Sequence, residues 1–149
     1  MPIILEPLRI ISPDRKSWIE MRPLKDYVGG MIVAEFEAFV DYGHGRFTAL
    51  NTDVIFHRLT EFSSEFDKFI MQRSLTPRLL GTYDCLLEFT GIGSQASVSF
   101  CVGDAYCGGP HGTEEPRLKG QFIIDSERLN DLNTYFKRWA IVDSSTQER

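Results

Sequence analysis

Four segments of this chain alternate apolar and polar residues with a period of two, and that alternation constrains the fold more than any other feature. In an extended strand, successive side chains point to opposite faces, so each segment has one face to bury and one to hydrate. From Met31 to Val40 the apolar set is Ile32, Ala34, Phe36, Ala38 and Val40, with Glu35 and Glu37 opposite. Tyr83 to Phe89 sets Tyr83, Cys85, Leu87 and Phe89 against Asp84 and Glu88. Gln95 to Val102 sends Ala96, Val98, Phe100 and Val102 inward and Ser97, Ser99 and Cys101 outward. Leu118 to Ile124 places Leu118, Phe122 and Ile124 inside, Lys119 and Gln121 outside. The pattern predicts strands of one antiparallel sheet with a covered face and a wet face.

Shorter runs add strands at Leu8 to Ile11 and Trp18 to Arg22, separated by the turn-forming Ser12-Pro13-Asp14-Arg15. Asp41-Tyr42-Gly43-His44-Gly45 joins Met31 to Val40 with a strand at Arg46 to Leu50, and Gly91-Ile92-Gly93-Ser94 suits a hairpin. Two segments switch to helical spacing. After Asn51 and Thr52, either able to cap a helix, Ile55, Leu59, Phe62, Phe66 and Phe69 recur on one stripe, with His57 on the surface or boundary of that helix. After Asp125 and Ser126 the stripe is Leu129, Leu132, Phe136 and Trp139. Each large side chain contributes roughly 1.5–3 kcal/mol when buried, so neither helix is expected to be stable away from the sheet. The expected fold is α+β, one antiparallel sheet of about six or seven strands with two amphipathic helices on one face.

One constant offset superposes Leu59, Phe62, Phe66 and Phe69 on Leu129, Leu132, Phe136 and Trp139, and a slightly larger one superposes Gly45-Arg46-Phe47 on Gly120-Gln121-Phe122. This suggests an internal duplication of strand, strand, strand, helix, although any two amphipathic helices share such spacing. If the halves correspond, the turn at Asp41 to Gly45 matches the much longer Gly103 to Arg117, rich in Gly and Pro and long enough to be a functional loop.

With 149 residues the chain is expected to form a single domain over 1–142, with a loose tail over 143–149. A net charge of -5 and a pI near 5.2 argue against nucleic acid, whose affinity comes from Lys and Arg on phosphates, and favour a basic partner if any. The apolar run Ile3 to Leu5 is interrupted by Glu6, Pro7 and Arg9, too soon for a signal core or membrane span. Cys85, Cys101 and Cys107 are odd in number and unpaired in spacing, which fits a reducing cytoplasm rather than a disulfide framework.

Candidate chemistry is thin. Cys107 and His111, with Asp104 nearby, resemble a nucleophile and base, but a Gly-rich loop does not by itself bring the imidazole onto the thiol. Zinc would need Cys101, His44 or His57 to complete a tetrahedron, without the short Cys spacing of zinc sites. Gly91-Ile92-Gly93 and Gly108-Gly109 lead from strand to strand, not from strand to helix as a phosphate loop must. Glu114 with Glu115, and Glu35 with Glu37, read more simply as solvated carboxylates than as acid–base pairs. Trp18 and Trp139 read as core or boundary residues. No catalytic residue, metal or cofactor is therefore assigned, and the expectation is a non-enzymatic protein. A surface remains: the outer face with Glu35, Glu37, Asp84, Glu88, Ser97, Ser99, Leu86 and Ile123, beside a loop carrying Asp104, Tyr106, His111, Glu114 and Glu115. Such an acidic, Tyr-bearing surface suits a basic protein patch.

The order Glu35-Phe36-Glu37-Ala38-Phe39, then Phe66-Asp67-Lys68-Phe69, Leu86-Leu87-Glu88-Phe89, and Gly120-Gln121-Phe122 running into Leu129, Leu132 and Phe136, resembles the immunity proteins of the wall-associated polymorphic-toxin type and related bacterial domains. The resemblance covers about Val28 to Ala140 and lies in order and pattern. It implies a small bacterial cytosolic α+β protein that binds and blocks a toxin domain, with no catalytic residues to carry over. The Gly103 to Arg117 loop is longer than the turn expected there. The partner-binding residues proposed at this level are Asp104, Tyr106, His111, Glu114, Glu115, Glu35 and Glu37. A small-molecule or enzymatic domain using the 103–117 loop is the alternative, and a homodimer pairing outer sheet faces is a third reading.

Overall fold

A computed structural model describes residues 5–28, 31–104, 106–107, 113–114 and 116–147. Eight strands form one antiparallel sheet in simple meander order. Four come first: β1 (Leu8–Ile11), β2 (Trp18–Val28), β3 (Met31–Asp41) and β4 (Arg46–His57). Helix α1 (Leu59–Met71) follows, then β5 (Arg78–Gly81), β6 (Leu86–Ile92) and β7 (Gln95–Gly103). A separate two-stranded hairpin, β8 (Tyr106–Cys107) with β9 (Thr113–Glu114), lies within the long loop. β10 (Arg117–Ile124) then pairs with β7, and α2 (Leu129–Gln147) ends the described chain.

The alternation correctly assigns the inner face. Ile32, Ala34, Phe36, Ala38 and Val40 on β3, Leu87 and Phe89 on β6, and Ala96, Val98, Phe100 and Val102 on β7 are all buried in one cluster with the stripes of both helices. Phe62 and Phe66 of α1 meet Phe136 of α2 with ring centroids 4.8 and 5.1 Å apart, and Phe66 meets Phe89 of β6 at 4.9 Å, all edge to face. Trp139 reaches Phe56 of β4 at 5.7 Å, and Phe56 reaches Phe36 of β3 at 5.5 Å. Edge-to-face rings add roughly 0.5–1.5 kcal/mol per pair beyond their buried area. Outside this core, Asp67 of α1 accepts from Asn133 and pairs with Lys137 of α2, both at 2.9 Å.

Several expectations need correction. The sheet has eight strands rather than six or seven, and four of them precede each helix in chain order rather than three. The extra strand, β5, spans four residues beginning just after Pro77, too few to show alternation. β4 runs on to His57, so Ile55 and His57 belong to a strand, and α1 begins only after Arg58, whose φ of 55° breaks the extended backbone. Tyr83 and Asp84 lie in a 3₁₀ turn (Thr82–Asp84), so Tyr83 is exposed instead of inward. Ser97 and Cys101 point outward yet are buried. Both are small residues on an interior strand, shaded by Thr90 and Ile123 on either side of Ser97 and by Leu86 and Lys119 on either side of Cys101. The segment from Asp143, read as a loose tail, continues α2 to Gln147, and Asp143 is buried.

The turns follow their chemistry. Gly93 has φ of 61° in the β6–β7 hairpin and Gly43 has φ of 86° in the β3–β4 turn, where the Asp41 carboxylate accepts from its N–H at 2.8 Å. Because Phe66 joins both helices to β6, Phe66→Ala should destabilise the fold by about 3–5 kcal/mol, whereas Ile123→Ala on the outer face should cost well under 1 kcal/mol. Urea unfolding followed by circular dichroism measures both.

Candidate functional site

The sheet is weakest where its two halves meet. β4 pairs with β3 along most of its length, but with β5 only at Phe56↔Gly81 and His57↔Leu80. Before that point β4 stays close to β7 and β10 but forms no ladder with the described strands of the second half, leaving a fork. Asn51 pins its apex: its buried side-chain amide donates to the Gly103 carbonyl at the end of β7, at 2.8 Å, and its Oδ1 accepts from the Asp53 N–H at 2.9 Å. A side chain thus supplies the link that a strand ladder does not. Thr82 adds a second, its Oγ1 accepting from the Ile55 N–H at 3.1 Å.

Beyond Asn51 the fork opens into a cleft of about 560 Å³, bounded by Arg46, Phe47, Thr48, Ala49 and Leu50 on one side and by Val102, Gly103, Asp104, Pro116, Arg117 and Leu118 on the other. Its lining is mixed, with polar and apolar surface in nearly equal parts. Phe47 and Leu50, on opposite faces of β4, are 52% and 50% exposed. Arg46 reaches Asp41 at 3.5 Å, and Arg117 pairs with Asp84 at 2.5 Å. Next to the cleft, Tyr83 and Asp84 both have left-handed backbone, with φ of 60° and 61°. A non-glycine residue in that conformation costs about 1–3 kcal/mol and persists only where its surroundings hold it. Here Tyr83 donates to Asp53 at 3.2 Å, Arg117 holds Asp84, and the Gly81 N–H donates to the Cys85 carbonyl at 2.8 Å. Gly103 is required in the same place, since a Cβ there would stand 2.3 Å from the Tyr83 carbonyl oxygen.

The thiols beside the fork are not poised as nucleophiles. Burial pushes Cys85 up to about 11, and burial likewise raises Cys101. Both stay protonated near neutral pH, when a reactive cysteine needs its thiolate.

Of the residues singled out from sequence, Asp104 lines the cleft. Glu35 and Glu37 lie on the outer face of β3, where Arg22 of β2 bridges them at 3.4 and 3.0 Å while also pairing with Glu20. Glu20 is held below the ordinary carboxylate range: burial pushes it up, but Arg9 and Arg22 outweigh that. Arg9 in turn stacks over Trp18 with its guanidinium 3.9 Å from the ring centroid. This acidic face is therefore largely neutralised from within. Register places Glu37 opposite Leu50, so it adjoins the cleft from the outer side. Asp84 and Glu88 are likewise paired, with Arg117 and Arg78. Tyr106 and Glu114 are register partners in the β8–β9 hairpin, while His111 and Glu115 lie outside the described residues. His44 is exposed in the β3–β4 turn and His57 is exposed at the end of β4, while Cys101 is buried on β7.

Sequence reasoning missed Arg46, Phe47, Leu50, Asn51 and Arg117. The available signal was in β4 itself, where Phe47 and Leu50 put large apolar groups on both faces and Asn51 puts an amide among strand formers. No family model, curated protein or solved structure matches this chain. No helix among the described residues is long and apolar enough to cross a membrane.

Asn51→Ala should cost about 1–3 kcal/mol by leaving buried main-chain groups short of a partner, and should speed amide exchange on both sides of the fork. Denaturant unfolding and hydrogen exchange measure these. For Cys85 the folded value of about 11 lies above the ordinary cysteine value of about 8.5, so the stability its protonated thiol contributes is complete below the latter and lost as pH rises through the former. The stability difference between the wild-type protein and Cys85→Ala should therefore shrink between those two pH values, as read from unfolding midpoints.

Proposed function

We propose that this chain is a non-enzymatic partner-binding protein of the immunity kind, acting in the bacterial cytosol by occluding a toxin domain. The observation that carries the binding reading is the cleft at the β4 fork, with half-exposed Phe47 and Leu50 at its mouth and Arg46 and Arg117 on its sides. Aromatic and arginine side chains are enriched among the groups that dominate binding energy at protein interfaces. The toxin reading draws on the resemblance of the strand and helix order to immunity proteins. The protonated thiols and arginine-bridged carboxylates favour binding over chemistry.

The binding surface differs from the acidic patch suggested by sequence. The carboxylates of Glu35 and Glu37 are engaged by Arg22; in the cleft Arg46 and Arg117 are paired too, with Asp41 and Asp84, but the half-exposed Phe47 and Leu50 stand beside them for a partner to bury. Asp104 belongs to both descriptions. The recurrence of four strands and a helix is read as a duplicated unit, which gives each half a helix for the same inner face.

A second reading, a small-molecule site, is favoured by the cleft volume of about 560 Å³, which lies within the usual range of ligand pockets. Co-expression separates the two. The C-terminal domain encoded by the gene immediately upstream should arrest growth alone, and this chain should restore growth and co-purify with that domain. Phe47→Ala and Leu50→Asp, on exposed positions, should weaken the complex about tenfold or more, ~1.4 kcal/mol. A harmless upstream product, or protection without a complex, sinks the immunity reading.

A further inference from the structure

We infer that the cleft takes an extended strand of the partner, laid along the open edge of β4, with an apolar side chain on the floor and a carboxylate drawn to Arg46 and Arg117. This rests on the partner-binding reading and specifies what is bound.

The first ground is which residues border the cleft. Arg46, Phe47, Thr48, Ala49 and Leu50 are consecutive. Side chains of a strand alternate between faces, so an unbroken run borders one cleft when the strand presents its edge to it. Among the described residues no strand pairs with that edge, because β3 occupies the opposite side of this segment and β5 engages β4 only at Phe56 and His57. In an antiparallel pair, alternate residues direct both N–H and C=O away from the partner strand. Alternate main-chain groups of Arg46–Leu50 therefore face the cleft. Another extended main chain matches their spacing of donors and acceptors, and strand addition to a sheet edge is an established way of recognising a peptide.

The second ground is how little edge protection the described residues give. Sheets blunt their edges with short strands, inward charges, Pro or bulges. β1, at one border of the sheet, is four residues long and carries Arg9. The β4 segment carries a charge only at its first residue, Arg46, and has no Pro; its irregular register begins only past Asn51, and its apolar Phe47 and Leu50 are left half-exposed. An unprotected apolar edge is an aggregation hazard unless something binds there.

The third ground is charge. The chain carries a net -5, yet two of the three charged side chains lining the cleft are arginines. The Arg46 pair with Asp41 is long at 3.5 Å, and the Asp84 carboxylate paired with Arg117 is 71% exposed. A carboxylate on the incoming strand would join Arg46 beside its long pair with Asp41 and share Arg117 with Asp84, and guanidinium–carboxylate bonds are directional enough to set its register.

Selection of short random linear peptides, displayed on phage, against the folded full-length chain tests this. Enriched peptides should alternate apolar residues, carry Asp or Glu, and slow amide exchange within Phe47–Leu50. A fluorescein-labelled copy should lose about tenfold or more in affinity to Leu50→Asp and to Arg117→Ala by fluorescence anisotropy. N-methylation of alternate peptide amides should abolish binding in one phase of the alternation and leave it in the other. Peptides that protect a different segment, prefer Lys or Arg, or tolerate N-methylation in both phases overturn the inference, as does failure to enrich any peptide. A toxin domain neutralised equally well by the cleft variants sinks the strand inference while leaving the immunity reading standing. Cleft-binding peptides together with a harmless upstream product do the reverse.

Discussion

The interlock of aromatic rings between the two helices and the sheet holds this protein in one shape. The ladder between β4 and β5 consists of two residue pairs, too little to fix the angle between the first four strands and the last four. The rings supply the missing rigidity. Phe36 meets Phe56 within the first half, Phe56 meets Trp139 of α2, and Phe136 of the same helix meets Phe62 and Phe66 of α1. Phe66 then meets Phe89 in the second half. The path crosses the seam through side chains, in a core dense enough that one ring cannot shift without displacing its neighbours.

That arrangement explains why the fork can exist. The helices fasten the halves over the inner face, and no described helix residue lines the cleft. The first part of β4 can then do without a ladder to the described strands of the second half, and the fold still holds. Asn51 and Thr82 supply hydrogen bonds to main-chain groups at the apex, the Gly103 carbonyl and the Ile55 N–H. The left-handed pair Tyr83 and Asp84 lies in the same neighbourhood, restrained by Asp53 and Arg117. Backbone strain, an open strand edge and exposed apolar side chains therefore meet at one place, whereas elsewhere such exceptions stand apart, as at left-handed Arg15 and Arg58 and at the β2 register shift after Pro23. Such a concentration of exceptions is where natural sequences place function.

The outer face shows why counting carboxylates misleads. Glu20, Glu35 and Glu37 look like an acidic patch in one dimension, but the β2–β3 register carries Arg22 among them, and Arg9 on β1 completes the network. Ion pairs of this exposure add little stability. Their effect is to remove the field that an unpaired acidic face would offer a basic partner, which moves the binding reading to the cleft.

Period-two alternation assigned the inner residues of β3, β6 and β7, and helical spacing assigned both stripes, because burial of one face is a local property of each segment. The sequence alone therefore determined the α+β class, the two helices and most of the core. Where the elements end was less legible: Ile55 suits a helix stripe and a strand face equally, and the left-handed Arg58 that separates them leaves no trace in residue type. The site was hidden for a deeper reason. Arg46, Phe47 and Leu50 lie far in sequence from Gly103 and Arg117, and only the β4 fork brings them to one cleft. Which strand edges stay open, and which charges find partners, depends on register and on the angle between the sheet halves. Those are set by packing across the whole molecule, and no segment encodes them by itself.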